Sequence, residues 1–252
     1  MISLVAFDLD GTLALSKQPL QAPMIQALTS LLTVAHVAVI SGGDWPQFEK
    51  QVASRLPPTA NLQNLWLMPT TGTKLYTWRA EGGGAWQPVY AELFTPEKRA
   101  AIVEAFHASL EATGFVPEQT WGERIEDRGS QITFSALGQQ APVHAKEVWD
   151  PDFAKRKIIQ ADLRRRLPGL SINMGGATSI DITKEGVDKG YGLRRLNVAS
   201  GIPLEEMMFI GDAIFPGGND YPAKEMGMET VCVRDPEGTL AAVAAITACL
   251  RK

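Results

Sequence analysis

The sequence contains few of the residues that stabilise small extracellular folds or bind soft metals. Its 252 residues include two cysteines and three histidines. Cys232 and Cys249 are too few for a disulfide framework, and no residue at metal-ligand spacing stands beside either of them. The histidines are far apart in the chain and form no ligand pair. We therefore predict neither a disulfide-stabilised scaffold nor a metal site built from cysteine or histidine.

Long apolar runs and an excess of positive charge are also missing. No apolar run approaches the roughly 18 residues that span a bilayer, and the N-terminus begins with a strand pattern instead of a basic region followed by an apolar helix. The formal charge is −4, which leaves no basic surface for nucleic acid. A short basic run at residues 164–166 falls in a helical pattern and is interpreted as a solvent-exposed face. We expect a cytoplasmic protein that binds neither membranes nor nucleic acid.

Buried strands alternate with helices at both ends of the chain. Apolar residues make up 45% of the sequence, which is enough for a full core. Continuous apolar runs, typical of parallel strands buried on both faces, occur at Leu4–Phe7, Val37–Ile40, Leu65–Met68, Met207–Ile210 and Met228–Val233. Helical patterns occur at Pro23–Val34, Lys189–Ser200 and Thr239–Leu250. This alternation predicts a parallel sheet.

The middle of the chain has a different pattern. Two strand patterns flank a glycine turn at residues 82–84 and predict a hairpin. After it, a helix begins at Thr95-Pro96, Gln131–Ala136 alternates like a half-buried antiparallel strand, and a second helix begins at Asp150-Pro151. The predicted fold is therefore α/β, with a three-layer Rossmann-like parallel sheet core (residues 1–86 and 186–252) and an inserted α+β cap domain (residues 87–185).

Two aspartates follow the first predicted strand. Asp8 and Asp10 are one residue apart, and Gly11 lets the backbone turn so that both carboxylates can converge at the carboxyl end of the strand. At about 4 Å they repel each other by roughly 4 kcal/mol at an effective dielectric near 20, and a divalent cation such as Mg²⁺ removes that penalty. An acidic turn is the other interpretation. A calcium loop is excluded, because Leu13 and Pro19 stand where it needs Gly and Glu.

Other element boundaries also carry residues that suit phosphate chemistry. Ser41 lies between a strand end and a helix start, where anions bind, and Asp44 with Gln47 is predicted to form a capping box there. Lys189 begins a helix, where a cation opposes the macrodipole, so a functional reason is favoured. The candidate phosphate site therefore comprises Asp8, Asp10, Ser41, Lys189, Asp212 and Asp220.

Four motifs in these segments resemble those of the haloacid dehalogenase (HAD) superfamily of phosphotransferases. They read DLDGT, VISGG, DKGYGL and IGDAIFPGGND. The central segment resembles the cap of the phosphomannomutase branch in ERIEDR, ITFSALG and GGATSID. The ending PGGND is more specific than DLDGT, which is found across the superfamily. The resemblance covers nearly the whole chain.

The resemblance implies phosphotransfer through an aspartyl phosphate. Asp8 is then the nucleophile, Asp10 the general acid and base, and Lys189 the cation that neutralises Asp8 and the transferring group. Ser41 and Gly42 would bind the phosphoryl group. The implied cofactor is Mg²⁺, held by Asp8, Asp10 through its backbone carbonyl, Asp212 and Asp220.

The implied substrate is a sugar phosphate, contacted from the cap by Arg128, Lys146, Ser179 and Asp181. The family has a further arginine where this chain has Gln139, and Glu-Asn-Gly where it has Thr70-Thr71-Gly72. Replacing a guanidinium by an amide weakens a contact of roughly 1.5–3 kcal/mol, which narrowly favours a hexose-phosphate phosphatase. The alternatives are a phosphomannomutase, which interconverts mannose 6-phosphate and mannose 1-phosphate, and a non-catalytic sugar-phosphate-binding module. The resemblance also implies a homodimer through the cap.

Overall fold

In the computed structural model, which describes residues 2–251, the chain divides into two units. The first is Met1–Ala91 with Asp188–Lys252, and the second, Glu92–Val187, lies between these segments in the sequence. The boundary predicted at residue 87 falls inside a strand that runs to Ala91, and the first unit keeps that strand whole. Within residues 2–251, none of the helices is long and apolar enough to cross a membrane.

A seven-stranded sheet forms the centre of the first unit. Its strands are β1 (Leu4–Phe7), β2 (His36–Ile40), β3 (Leu65–Met68), β4 (Lys74–Arg79), β5 (Ala85–Ala91), β10 (Met207–Gly211) and β11 (Glu229–Cys232). They lie in the order β11-β10-β1-β2-β3-β4-β5. The pairs from β11 to β3 are parallel, whereas β4 and β5 add an antiparallel hairpin at one edge. The predicted parallel sheet is confirmed.

Helices cover both faces of this sheet. They are Ala22–Leu31, Trp45–Phe48, Lys189–Ser200, Tyr221–Glu225 and Pro236–Leu250. Successive side chains of a strand point to opposite faces, so Phe7 joins one buried cluster with Leu28 and Val243, while Ala6 joins a second cluster with Leu193. The continuous apolar run of β1 is therefore explained by two hydrophobic cores, and the predicted three-layer α/β arrangement is confirmed.

The second unit is built on a four-stranded antiparallel sheet. Its strands are β6 (Ile125–Asp127), β7 (Gln131–Ser135), β8 (Leu170–Gly175) and β9 (Ser179–Lys184), in the order β6-β7-β9-β8. The helices are Pro96–Thr113, Val143–Trp149 and Ala154–Arg166. The first begins where predicted, since the Thr95 side chain accepts a hydrogen bond from the backbone N–H of Lys98, and it ends at Gly114 in the left-handed conformation. Its Phe106 packs in one core with Phe134.

The prediction that β7 is half-buried is wrong. All five of its residues are buried. The polar side chains are tolerated there because they bond to one another: Gln131 donates to the Thr133 hydroxyl at 3.0 Å, and Thr133 donates to Asp181 at 2.7 Å. The alternation of polar and apolar residues in β7 therefore reflects a buried polar network on one face instead of exposure to solvent.

The helix predicted to begin at Asp150-Pro151 begins instead at Ala154, after a separate short helix ends at Trp149. Asp150 does not act as its N-cap residue. Its carboxylate accepts the backbone N–H of Lys155 at 2.9 Å and the Arg156 guanidinium Nε at 2.8 Å. Both ends of this ion pair are almost fully buried. Arg156 also donates to the carbonyl of Gly176 at 2.7 Å, which ties the helix to the loop before β9.

The electrostatics of Asp150 follow from these contacts. Burial raises the pKa of Asp150, but the hydrogen bonds from Arg156 and from the backbone N–H groups outweigh it and hold the pKa below its usual value. Its carboxylate is therefore ionised in the folded protein at neutral pH. Removing that charge would leave the Arg156 cation buried without compensation.

We expect Asp150→Asn to lower the free energy of unfolding by about 3–5 kcal/mol, the cost of breaking a buried ion pair from one side. Urea denaturation followed by circular dichroism measures this change. Glu118→Gln, at an exposed position of the same unit, is the matched control and should be neutral. Because the folded pKa of Asp150 is depressed, its contribution is present above the ordinary carboxyl pKa of about 3.9 and is lost as the pH falls below it. A destabilisation that is as large at low pH as at neutral pH would contradict this account.

Candidate active site

The candidate site lies where the strand order changes direction. β1 pairs with β2 on one side and with β10 on the other, so the order of the strands reverses direction at β1. Open α/β sheets bind ligands at such a switch point, beside the carboxyl ends of the strands. Asp8 directly follows β1, and Asp212 directly follows β10. Gly11 has a φ of +91°, and a Cβ atom there would lie 2.6 Å from Asp212 Oδ2. Glycine therefore allows the loop after β1 to pass beside this carboxylate.

Lys189 connects the two sides of the site. Its helix is N-capped by Asp188, whose carboxylate accepts the backbone N–H of Tyr191 at 2.7 Å. The Lys189 ammonium forms an ion pair with Asp8 Oδ1, contacts Asp220 Oδ1 at 2.9 Å, and donates to the carbonyl of Ile40 at 3.0 Å. Its side chain is 2% exposed. The predicted proximity of these distant segments is thus observed.

The site contains more negative charge than Lys189 balances. Burial raises the pKa of Asp8 to about 7, with Lys189 acting in the opposite direction and Asp220 adding to the rise. Burial also raises the pKa of Asp212, and the neighbouring Asp220 carboxylate raises it further. Burial lowers the pKa of Lys189, but the carboxylates Asp220 and Asp8 outweigh this effect and hold the pKa above its usual value. A second cation would relieve the remaining repulsion among the three carboxylates.

The three carboxylates fit a divalent metal ion. One oxygen each of Asp8, Asp212 and Asp220 lies within 4.8 Å of the others. Neighbouring groups hold two of them: Thr12 donates to Asp212 Oδ1 at 3.2 Å, and the backbone N–H of Ala213 donates to Asp220 Oδ2 at 3.1 Å. Such a set of oxygen ligands suits Mg²⁺. The Asp10 carboxylate is not a member of this cluster, so the predicted convergence of the Asp8 and Asp10 carboxylates is not observed. The role of Asp10 as a ligand through its backbone carbonyl stays a prediction.

The Asp10 side chain has a separate set of partners. Its Oδ1 accepts the backbone N–H of Lys17 at 2.8 Å and the Gln51 amide at 3.2 Å. Its Oδ2 accepts the Gln47 amide at 3.0 Å. Both oxygens of the predicted general acid are therefore held by neutral donors.

Asp44 is the N-cap residue as predicted, but it does not form the predicted capping box with Gln47. Asp44 caps the helix Trp45–Phe48 by accepting the backbone N–H of Trp45 at 2.7 Å, and it forms an ion pair with Lys74 at 2.6 Å. Gln47 does not complete the box, since its amide contacts Asp10. The Gln47 side chain, which the local sequence pattern assigned to the helix end, bonds to Asp10 instead.

The Ser41 loop is supported by an unusual segment behind it. Ser41 is buried directly after β2, and Gly42 follows it. The carbonyl of Ser41 accepts the backbone N–H of Thr71 at 2.8 Å, and that of Gly43 accepts the N–H of Thr70 at 2.8 Å. Thr70 and Thr71 both have left-handed backbones, with φ of 50° and 59°, which costs about 1–3 kcal/mol per residue. Thr70-Thr71-Gly72, which stands where the family has Glu-Asn-Gly, therefore belongs to the segment that supports the predicted phosphate loop at Ser41.

The structure brings three of the predicted substrate residues into one part of the second unit. Arg128 is buried and forms an ion pair with Glu126 at 2.7 Å. Asp181 lies on β9, where burial raises its pKa and the charge of Arg128 lowers it. Ser179 stands two residues earlier on the same face of β9 and pairs with Ser135 of β7. The fourth predicted residue, Lys146, lies on the helix Val143–Trp149, and its contact with substrate stays a prediction.

Sequence reasoning missed two residues that shape the site. Gln51 was not singled out, although it stands four residues after Gln47 in a helical segment, a spacing that places both on one face. Thr12 lies within DLDGT, so its contact with Asp212 could have been suspected from the motif alone.

Solved structures with the same fold define the class of protein. IMP-bound IMP-nucleotidase from Plasmodium falciparum has a TM-score of 0.70 at 16% sequence identity, covering 98% of this chain and 68% of that one. A haloacid dehalogenase-like hydrolase from Bacteroides thetaiotaomicron has a TM-score of 0.62 at 15% identity, covering 98% of this chain and 100% of that one. The fold is that of the HAD superfamily.

Sequence relatives define the family within that class. A sequence model of the eukaryotic phosphomannomutase family matches residues 24–248. The phosphomannomutase of Spinacia oleracea is 26% identical over 220 residues, which cover 85% of this chain and 83% of the relative. That of Schizosaccharomyces pombe is 25% identical over 230 residues, covering 87% and 84%. The chain belongs to the eukaryotic phosphomannomutase family, and it is a HAD-type enzyme of the phosphatase or mutase kind.

We expect Asp212→Asn to weaken Mg²⁺ binding by at least about tenfold, because it removes one negative charge from the three-carboxylate cluster. The measurement is the rise in melting temperature that excess Mg²⁺ gives to each protein, since a ligand that binds the folded state stabilises it. Asp152→Asn, at an exposed position of the second unit, is the matched control and should keep the full rise. An undiminished rise in Asp212→Asn would contradict the assignment of this carboxylate.

Proposed function

We propose that the protein is a Mg²⁺-dependent mutase that moves a phosphoryl group between the 1- and 6-positions of a hexose phosphate, with mannose phosphate as substrate. Phosphoryl transfer is supported by the buried contact of Lys189 with Asp8 and Asp220 at the switch point. The mutase reaction is supported by family membership over residues 24–248. The sequence narrowly favoured a phosphatase, but the relatives reported above are mutases and favour the alternative.

Asp8 is proposed to act as the nucleophile. Its carboxylate oxygen attacks phosphorus, and the new Asp8 O–P bond forms as the bond between phosphorus and the sugar oxygen breaks. The leaving alkoxide takes a proton from Asp10. Lys189 offsets the repulsion between the Asp8 carboxylate and the phosphate dianion, because its ammonium is fixed beside the attacking oxygen before the reaction begins.

The mutase reaction uses the same residues in reverse. Phosphorylated Asp8 passes its phosphoryl group to the free hydroxyl of a sugar monophosphate, and Asp10 takes the proton of that hydroxyl. The resulting bisphosphate turns over and returns its other phosphoryl group to Asp8. In a phosphatase, water takes the place of the sugar hydroxyl.

The cofactor supports this chemistry through charge. HAD-type phosphotransferases generally use Mg²⁺, and the Asp8, Asp212 and Asp220 carboxylates fit it. A Mg²⁺ ion held by these carboxylates would supply positive charge that offsets the negative charge of the transferring phosphoryl group. Ser41 and Gly42 are proposed to bind the same phosphoryl group through their hydroxyl and backbone N–H groups.

The second unit is proposed to supply contacts for the sugar and its distal phosphate. Arg128 suits the distal phosphate because its planar guanidinium binds phosphate in a bidentate manner. Lys146 would add a second positive charge, while Ser179 and Asp181 would bind sugar hydroxyls. The homodimer that the resemblance implies stays a prediction.

A phosphatase is the second candidate, and Gln139 is the observation that favours it. A mutase must retain the bisphosphate while it turns over, and a neutral amide holds phosphate less tightly than an arginine does. A binding module without activity is disfavoured, because Asp8 and Lys189 are both present and in contact.

We expect Asp8→Asn to lower both isomerisation and phosphate release by at least about 10³-fold, because the amide oxygen is a poor nucleophile. The measurement is turnover of mannose 1-phosphate with Mg²⁺ present, together with trapping of phosphorylated protein in acid. Asp152→Asn serves again as the control and should remain fully active. Retained activity in Asp8→Asn would refute the nucleophile assignment.

Isomerisation and phosphate release are the two outcomes that separate a mutase from a phosphatase. We expect isomerisation of mannose 1-phosphate to outpace phosphate release when a hexose bisphosphate activator is present. Gln139→Arg should tighten bisphosphate binding by about tenfold or more, the equivalent of a charge-assisted contact worth roughly 1.5–3 kcal/mol. Gln140→Arg, at the exposed neighbouring position, is the matched control. Faster release than isomerisation in the unmodified protein would identify a phosphatase instead.

A further inference from the structure

We infer that Gln47 and Gln51 are positioning residues that hold the Asp10 carboxylate in place for proton transfer. This inference rests on the proposed function, in which Asp10 protonates the leaving group and deprotonates the incoming hydroxyl. Neither glutamine belongs to the four motifs that mark the phosphotransfer site. Their role is therefore argued from contacts alone.

The two glutamines bind different oxygens of Asp10. The Gln47 amide donates to Oδ2 at 3.0 Å, and the Gln51 amide donates to Oδ1 at 3.2 Å. The backbone N–H of Lys17 adds a third bond, to Oδ1 at 2.8 Å. A carboxylate bonded through one oxygen can still rotate about its Cβ–Cγ bond, whereas bonds to both oxygens fix its plane. The arrangement therefore fixes the direction in which Asp10 presents its oxygens.

Both amides reach Asp10 from one helical segment. The helix Trp45–Phe48 continues into a π-helical turn, Glu49–Ala53, in which the N–H of Ser54 donates to the carbonyl of Glu49 at 2.9 Å. Turns of this kind are rare and often occur at functional sites. Gln47 and Gln51, four residues apart, both reach Asp10 from this segment.

Each glutamine is itself held in place. Gln51 is fully buried, and its amide also donates to the carbonyl of Gln18 at 2.6 Å, within the loop that follows Asp10. Gln47 lies over Gly43, where a Cβ atom would come within 2.4 Å of its Oε1. Gly43 therefore leaves the space that Gln47 occupies while it bonds Asp10.

Neutral donors suit this task better than charged ones. An amide donates a hydrogen bond without adding positive charge, so Asp10 is oriented while the Lys189 ammonium remains directed at Asp8 and Asp220. A lysine or arginine in place of Gln47 would instead form an ion pair with Asp10. A glutamate there would repel it.

The experiment compares two leaving groups. A sugar alkoxide needs a proton from Asp10, whereas 4-nitrophenolate leaves without one. We expect Gln47→Met and Gln51→Met to slow phosphorylation of Asp8 by mannose 1-phosphate by roughly 10–100-fold, the scale of a misplaced catalytic group. Release of 4-nitrophenolate from 4-nitrophenyl phosphate should change little. Gly43→Ala should show the same selective loss, because the added methyl group displaces the Gln47 amide.

Three controls make each outcome decisive. Gln87→Met, at an exposed position on β5, should leave both rates unchanged, and melting temperatures report whether each variant folds. Gln47 is only half-buried, so its variant tests the inference even if Gln51→Met unfolds. Equal loss with both substrates, or no loss with either, would overturn the inference. Asp10→Asn is measured in parallel: if it shows no selective loss with the sugar phosphate, the proposed role of Asp10 itself is wrong, which separates that failure from failure of the glutamine assignment.

Discussion

The buried Lys189 ammonium is the interaction on which the rest of the site depends. Burying an ion costs several kcal/mol, and the cost is offset only when good partners surround it. Here those partners come from three separate chain segments, at Asp8, Ile40 and Asp220. The order of the sheet strands brings these segments to one edge. Without the lysine, the carboxylates around it would repel one another, so its positive charge also allows the loops after β1 and β10 to lie side by side.

Asp8 and Asp10, separated by one residue, lie in different surroundings. Asp8 lies among charges, where burial raises its pKa to about 7. Asp10 is bound by two amides and a backbone N–H. Asp8 lies in one cluster with Asp212 and Asp220, whereas the Asp10 side chain is directed at the segment that contains Gln47. Different surroundings for neighbouring carboxylates are a general means of assigning acid and nucleophile roles.

Much of the first unit could be predicted, because short stretches of the sequence specify its strands and motifs. Continuous apolar runs indicated the parallel strands, and motif residues such as Asp8, Lys189 and Asp212 indicated the site. What escaped prediction depends on side-chain contacts that the spacing of residues in the sequence does not reveal. Gln47 matched a capping box by spacing, but Asp10 competes for its amide. Asp150 matched a helix start, but its carboxylate is paired with Arg156. The alternation in β7 suggested an exposed face, and only the tertiary structure shows that its polar side chains bond to one another.

The pairing of β1 with β10 has a consequence for biosynthesis. Leu4 lies opposite Met207, so the centre of the sheet joins residues about two hundred positions apart. A ribosome therefore releases all of Glu92–Val187, a contiguous unit with its own core, before β10, which pairs with β1 on the side opposite β2, exists. Until then β1 has an unpaired edge, the kind of surface that promotes aggregation of nascent chains. The last quarter of the polypeptide thus both completes the candidate site and covers that edge.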